Sequence, residues 1–406
     1  MSPNTRLIKE SFALVEPVAG RAAAYFYGLL FAHCPSLRGM FPPDMAAPRG
    51  RLLDILRRIV RELDSPERLT SYLAGLGRDQ RRYGFSPEHH AAAGAALLAT
   101  MRRFAARTWT EETEAAWTEA YAMASRIMTD AAAAETTPPW WLAEVIGHEP
   151  RCRDLAVLTL RPSQPMDFVP GQHVTVQTAR WPRVWRRFSI ANAPRPDGTL
   201  RLHVRAVPGG WVSSALVRHT RTGDQLLLGP PAGTMAPPES DRDILCVAGG
   251  TGLAPLKAVM EHVIDSGRRP NIHLLFGVRH AGDLYDMPDL ARMAAGFPWL
   301  RVLPVVSDDP AYRGLRGRLP DVVDAFPSWA DHEVYVCGPP PMVDETVRRL
   351  RRSGVPLARI HRDTDRHDTD RHDTDRHDTD RARDRRDPTE TASTPDRFLA
   401  GFESKT

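Results

Sequence analysis

A glycine-rich turn at residues 247–255 constrains the fold of this chain more than any other stretch. An apolar run at 244–247 precedes it, and apolar residues at helical spacing follow it. A strand, a glycine turn and a helix in this order present backbone N–H groups and a helix N-terminus to a pyrophosphate. Since glycine has no Cβ, the backbone can approach such a ligand closely. The stretch predicts a dinucleotide-binding βα unit built on Gly249, Gly250, Thr251 and Gly252.

Strands and helices continue to alternate after this turn. Apolar runs at 272–278, 302–306 and 333–337 are separated by helical patterns. This alternation predicts an α/β doubly wound domain at 241–361, with its ligand at the carboxyl ends of the parallel strands. Arg279 follows the second strand of the domain. The last strand leads into the candidate residues Cys337, Gly338, Pro339 and Met342.

Residues 1–135 have the 3.6-residue apolar periodicity of helices. Ser86, Pro87 and Glu88 are typical of a helix start, with a capping serine and a proline in the first turn. The region therefore predicts an all-α domain, followed by a proline-stiffened linker at 136–142.

Short alternating runs separated by Gly and Pro turns fill residues 143–240. This pattern predicts an antiparallel β-barrel. Two groups of residues within it are candidates for ligand binding. They are Arg186, Arg187, Phe188 and Ser189, and then Gly210, Val212 and Ser213.

Length and composition agree with a multidomain chain. The 406 residues exceed one ordinary core, and the net charge of +4 comes with no basic block interleaved with aromatic residues. We therefore expect no nucleic-acid partner. No apolar run reaches a membrane span, no signal peptide is recognisable, and the four cysteines are scattered singly. These features predict a cytoplasmic protein without a membrane partner, and they predict no particular oligomeric state.

The carboxyl-terminal residues 362–406 contain a five-residue repeat. The sequence Arg-His-Asp-Thr-Asp begins at residues 366, 371 and 376 and includes no apolar side chain. Since such a segment cannot bury a core, it predicts a disordered tail. Its His and Asp residues could also bind metal loosely, although simple repeat expansion explains them as well.

The barrel and doubly wound domains resemble the ferredoxin–NADP reductase superfamily in these motifs. The resemblance implies FAD in the barrel, with Phe188 beside the flavin, Ser189 hydrogen-bonding to it and Arg186 on its pyrophosphate. It also implies that Ser213 caps a helix facing the same phosphates and that Cys337 and Gly338 border the nicotinamide. NADH and NADPH both remain open, because Arg279 alone is a weak signal for a 2′-phosphate.

The helical domain resembles the globin half of bacterial flavohaemoglobins. The residues that carry the resemblance are Tyr25 to Phe31, His33 to Leu37, Met40, Phe41, Tyr83 to Glu88 and Ala116 to Tyr121. It implies haem, with Tyr27 hydrogen-bonding bound oxygen and Phe41 packing on the haem. The expected fold is an all-α globin, an antiparallel β-barrel FAD domain and an α/β doubly wound NAD(P) domain. The implied activity is nitric oxide dioxygenation, in which electrons pass from NAD(P)H through FAD to haem, and NO and O2 give nitrate.

The haem iron site departs from the family pattern. Gln80 stands where the family has its iron-binding histidine, seven residues before the proline at 87, and His90 stands where the family has a tyrosine. An amide is a poor ligand for haem iron, whereas an imidazole is the usual one. The candidate iron position is therefore either that of Gln80 or His90. An alternative is a flavin reductase with a haem-free globin-like module and an outside electron acceptor.

Overall fold

The computed structural model describes residues 4–326 and 328–362. The predicted repeat tail lies outside these residues, apart from Arg362. So does Asp365, which falls where the family has an aromatic residue near the flavin.

The amino-terminal domain is all helix, as predicted. Its apolar stripes meet in one core that includes Leu37, Leu73 and Met101. The predicted helix start at Ser86 is confirmed, since its backbone N–H donates to His89 Nδ1 at 2.9 Å and Pro87 opens the helix. The six α-helices of this domain are α1 (Thr5–Val15), α2 (Ala19–His33), α3 (Ala46–Glu62), α4 (Pro66–Gln80), α5 (Pro87–Phe104) and α6 (Glu111–Ala134).

Helices α4 and α6 pack with their backbones in direct contact. A Cβ at Gly77 would lie under 3.0 Å from the carbonyl oxygen of Met128, so only glycine fits at this crossing. The contact holds the carboxyl end of α4, which carries Gln80, against α6.

The middle domain is a nearly closed antiparallel barrel, as predicted. Its strands are β1 (Trp141–Cys152), β2 (Leu155–Pro162), β3 (His173–Thr178), β4 (Arg186–Ser189), β5 (Leu200–Arg205) and β6 (Gln225–Leu228). Their order is β4-β3-β6-β1-β2-β5, and a bridge between Ile190 and Leu202 brings the two edges together. Strand β1 begins at Trp141, inside the expected linker.

The last domain is a parallel sheet between helices, as predicted. Its strands are β7 (Ile244–Gly249), β8 (Ile272–Val278), β9 (Leu300–Val306), β10 (Leu315–Arg316), β11 (Glu333–Cys337) and β12 (Ile360–Arg362). Its helices are α8 (Leu253–Asp265), α9 (Met287–Gly296), α10 (Leu319–Asp324) and α11 (Pro340–Arg352), while α7 (Trp211–Arg218) belongs to the barrel. The strand order is β10-β9-β8-β7-β11-β12. Arg362 pairs with Val336 in this sheet and is therefore not part of a structureless tail.

A buried polar network joins the barrel to the parallel-sheet domain. The Lys257 ammonium lies 2.6 Å from Asp286 Oδ2, and both side chains are almost completely buried. His203 of the barrel contacts the Tyr285 hydroxyl at 2.9 Å, and Arg151 of the barrel lies 3.3 Å from Asp289. These contacts fix the two domains side by side.

Replacing Lys257 with methionine should destabilise the protein by about 3–5 kcal/mol, because the Asp286 carboxylate would lose its buried partner. The matched control is Arg292→Ala. Arg292 also pairs with an acidic residue of this region, Asp289, but its side chain is 78% exposed, so its loss should cost at most about 1 kcal/mol. Urea unfolding of the full chain measures both, and equal midpoints would contradict the prediction.

Candidate functional site

The predicted dinucleotide turn sits at the carboxyl end of β7. Residues 250–252 form one 3-10 turn, and α8 begins directly after it at Leu253. Gly250 has φ +55°, and nothing lies within 4 Å of the position its Cβ would occupy. The space beside Gly250 is therefore open, as the close approach of a pyrophosphate to this turn requires.

This turn packs against the second predicted motif. Cys337 is paired in register with Ala248, so β7 and β11 end side by side. A Cβ at Gly252 would lie under 3.0 Å from the Cys337 carbonyl oxygen. The close approach leaves room for glycine only.

The remaining candidates of this domain surround the same sheet edge. The Met342 side chain extends from α11 to Gly249. A Cβ added to Gly249 would clash with the Met342 methyl group. Pro339 precedes α11, and Gly338 has φ +158°, which is close to extended backbone. Arg279 is exposed just after the neighbouring strand β8, and Thr251 is partly exposed in the turn. The expected NAD(P) residues thus converge at one place.

The expected flavin residues lie on β4 and at the start of α7. Phe188, opposite Val174 of β3, is partly buried against the barrel core. Ser189 ends β4 and is partly buried. Val212 is buried in the first turn of α7.

The expected cap of α7 is wrong. Gly210, and not Ser213, is the residue before the helix, and Ser213 lies inside its first turn. The Ser213 hydroxyl accepts from the Val207 N–H and donates to the Gly210 carbonyl, each at 3.3 Å. The serine therefore shapes the loop that leads into α7.

The globin domain contains a cavity with an aromatic wall. The Tyr27 hydroxyl donates to the Pro48 carbonyl at 3.1 Å, and the Phe41 ring meets the Tyr27 ring edge-on at 5.3 Å. Burial raises the pKa of Tyr27. The positive charges of Arg51 and Arg49 act in the opposite direction, but burial has the larger effect. Tyr27 therefore stays a hydrogen-bond donor.

Gln80 and His90 both line this cavity. Gln80 is the last residue of α4, and the buried His90 packs edge-on against Phe85 at 4.9 Å. The His90 carbonyl accepts from the Tyr121 hydroxyl at 2.6 Å. Burial lowers the pKa of His90, and the neighbouring charge of His89 lowers it further. The His90 ring is therefore neutral at neutral pH. Among the globin-domain histidines, His90 alone lines the cavity.

The globin and barrel sites share one cavity of about 1330 Å³. Six predicted residues line it: Tyr27, Phe41, Gln80, His90, Arg186 and Arg187. The other flavin candidates lie on the adjoining strand and helix. Tyr83, which belongs to the globin resemblance, also lines the cavity, and so do Arg51 and Trp185, which the sequence did not single out.

A segment of the globin domain contacts the flavin strands directly. Arg82 Nη1 donates to Thr175 Oγ1 on β3 at 2.8 Å. The Tyr83 ring lies 6.5 Å from that of Trp185, next to Arg186. Glycine at position 229 leaves space for the Thr175 side chain, because a Cβ there would lie under 3.0 Å from Thr175 Oγ1. The residues that follow Gln80 in the chain therefore dock on the strands that carry the flavin motif.

Across the described parts of the chain, no three His, Cys, Asp or Glu side chains gather into a possible metal site. Nor does any helix within residues 4–326 and 328–362 combine the length and apolarity needed to cross a bilayer.

Family comparisons divide the chain as the structure does. The globin family matches residues 24–128, the oxidoreductase FAD-binding domain 143–236 and the oxidoreductase NAD-binding domain 246–348. A ferredoxin–NAD(P)⁺ reductase from Metapseudomonas resinovorans is 34% identical over 226 residues, which cover 54% of this chain and 68% of that protein. The chain belongs to this reductase family. It carries the globin domain in addition.

Other relatives match the same reductase half. The xylene/toluene monooxygenase electron transfer component of Pseudomonas putida is 36% identical over 208 residues, or 50% of this chain. The chain spans only 59% of that component's length.

The whole architecture resembles that of a solved flavohaemoglobin from Malassezia yamatoensis. That structure matches with a TM-score of 0.70 at 17% identity, over 88% of this chain and 98% of its own. Together with the three family matches, this likeness confirms the predicted flavohaemoglobin-like fusion of globin, FAD barrel and NAD(P) domain.

Proposed function

We propose that this chain oxidises NAD(P)H, holds the electrons on FAD and passes them to a group bound in the globin cavity. The shared cavity carries the proposal, because it places Arg186 and Arg187 of the flavin strands in one space with Tyr27 and Gln80. FAD, when bound, accepts a hydride and releases electrons singly.

The residues of this chain have distinct parts in that function. The turn at 249–252 and the N-terminus of α8 bind the nucleotide pyrophosphate, and the residues at 337–342 border the nicotinamide. Arg186 would offer a planar fork to the pyrophosphate of a bound FAD, and the N–H groups that open α7 would bind the same phosphates. The globin domain contacts the flavin strands through Arg82 and Tyr83.

A haem fits this cavity in shape but not in its iron ligand. The aromatic wall suits a flat apolar group, whereas the family's histidine position holds Gln80, whose amide binds haem iron poorly. His90 is the one globin-domain imidazole on the wall. Nitric oxide dioxygenation is therefore the second candidate function, favoured by the buried, protonated Tyr27 hydroxyl in the same cavity.

One preparation separates the two. The full chain, produced in cells supplied with haem precursor, is assayed for a Soret band, for nitric oxide consumption and for NAD(P)H-driven ferricyanide reduction. All three together support the dioxygenase. Ferricyanide reduction alone supports a flavin reductase with a different acceptor, and no reduction with FAD bound overturns the proposed function.

A further inference from the structure

Arg51, in the globin cavity, has no carboxylate partner among the described residues. Arg51 lies at helical spacing with Ile55 and Ile59, on the side of α3 that lines the cavity. Its hydrogen bond goes to the Tyr83 hydroxyl at 3.4 Å, and within the described chain no carboxylate lies within 4.0 Å of it. The nearby Asp79 carboxylate pairs with Arg82 instead, at 3.4 Å.

The surrounding charges reinforce this positive site. Nine arginines and five acidic residues line the whole cavity. Although burial favours the neutral Tyr83 phenol, Arg82 and Arg51 outweigh that effect and lower the pKa of Tyr83. The potential beside Arg51 therefore favours an anion.

The rest of the globin cavity is apolar. Its lining residues include Phe26, Leu30, Phe41, Leu97 and Met128. A guanidinium facing such a space is costly unless an anion joins it, and its planar fork matches a carboxylate. An apolar wall beside the guanidinium of Arg51 is complementary to an amphipathic carboxylate.

We propose that Arg51, together with the Tyr83 hydroxyl, binds a carboxylate of a flat apolar ligand in the globin cavity, and that this contact retains the ligand without a metal–protein bond. The inference rests on the proposed function, since it names the chemical class of the group that occupies the cavity. It also accounts for a globin cavity whose family iron position holds Gln80.

The probe is metal-free protoporphyrin IX, a flat dicarboxylate, titrated into the FAD-loaded full chain by fluorescence. Arg51→Leu should weaken binding on the order of 10-fold or more, the usual effect of a charge-assisted hydrogen bond. Arg57→Leu is the matched control on the same helix, because Arg57 is already paired with Glu16 and Asp54 at 3.0 and 3.1 Å. It should bind like the wild type, and Arg51→Lys should recover part of the affinity.

The dimethyl ester of the same porphyrin separates charge from shape. Wild type and Arg51→Leu should bind the ester equally, since it has no carboxylate. The inference is overturned if Arg51→Leu binds the diacid as the wild type does, or if it loses acid and ester alike. NAD(P)H-driven ferricyanide reduction is measured alongside. Its absence in the wild type overturns the proposed function, whereas a charge-dependent contrast between the two porphyrins supports the carboxylate site regardless.

Discussion

Gly252→Ala should nearly abolish flavin reduction by NAD(P)H while FAD stays bound. The new Cβ would lie under 3.0 Å from the Cys337 carbonyl and the Gly338 amide nitrogen, so β7 and β11 could not keep their present ends. Both nucleotide motifs would move, and displacing reacting groups by about 1 Å can cost about 100-fold in rate. We expect a loss of at least that size in anaerobic stopped-flow measurements.

The matched control is Gly282→Ala in the same domain. A Cβ there meets nothing within 4 Å, and the backbone of Gly282 is of an ordinary kind, so the rate should stay within about twofold of wild type. FAD content is measured by absorbance in both variants. A Gly252→Ala protein that reduces flavin at the wild-type rate would show that the turn is only structural.

Gln80→His should raise the haem content of the purified protein at least roughly tenfold. Position 80 is the last residue of α4 and lines the cavity. A histidine there would occupy the position of the family's iron ligand. Each tenfold in affinity requires only about 1.4 kcal/mol, which is little for a bond between imidazole and iron. The Soret band and nitric oxide consumption should appear together.

The variants Gln80→Ala and His90→Ala complete this series. If His90 already binds iron, His90→Ala abolishes haem retention and Gln80→Ala does not. Equal haem content in wild type and both alanine variants excludes His90 and Gln80 as iron ligands. A Gln80→His protein without any haem would mean that the cavity itself, and not the missing ligand, prevents haem binding.

Most of the fold could be predicted from the local periodicity of apolar residues. The apolar stripes of the globin domain, the alternating runs of the barrel and the strand–turn–helix pattern around Gly249 are short-range signals. All three domains could therefore be predicted from them. The two-residue strand β10 could not be predicted, because so short a segment shows no apolar periodicity and its pairing depends on a distant partner. The cap of α7 was misplaced for a related reason, since Ser213 serves the backbone of Val207 and not the helix end.

The site was predicted where motifs are contiguous and missed where they are not. Arg82 and Thr175 are 93 residues apart in the chain, and no local pattern relates them. Arg51 did leave a signal, a charged residue at helical spacing with Ile55 and Ile59 on the cavity side of α3. An arginine in that position indicates either a surface helix or a lined cavity, and only the fold distinguishes the two.

The most direct test of the account is an anaerobic titration of the FAD-loaded full chain with NADH and, separately, NADPH. We expect at least one nucleotide to bleach the visible flavin band completely near one equivalent, because the turn at 249–252 and the residues at 337–342 hold the nicotinamide for hydride transfer to FAD. A flavin that dithionite reduces but that neither nucleotide bleaches would contradict it.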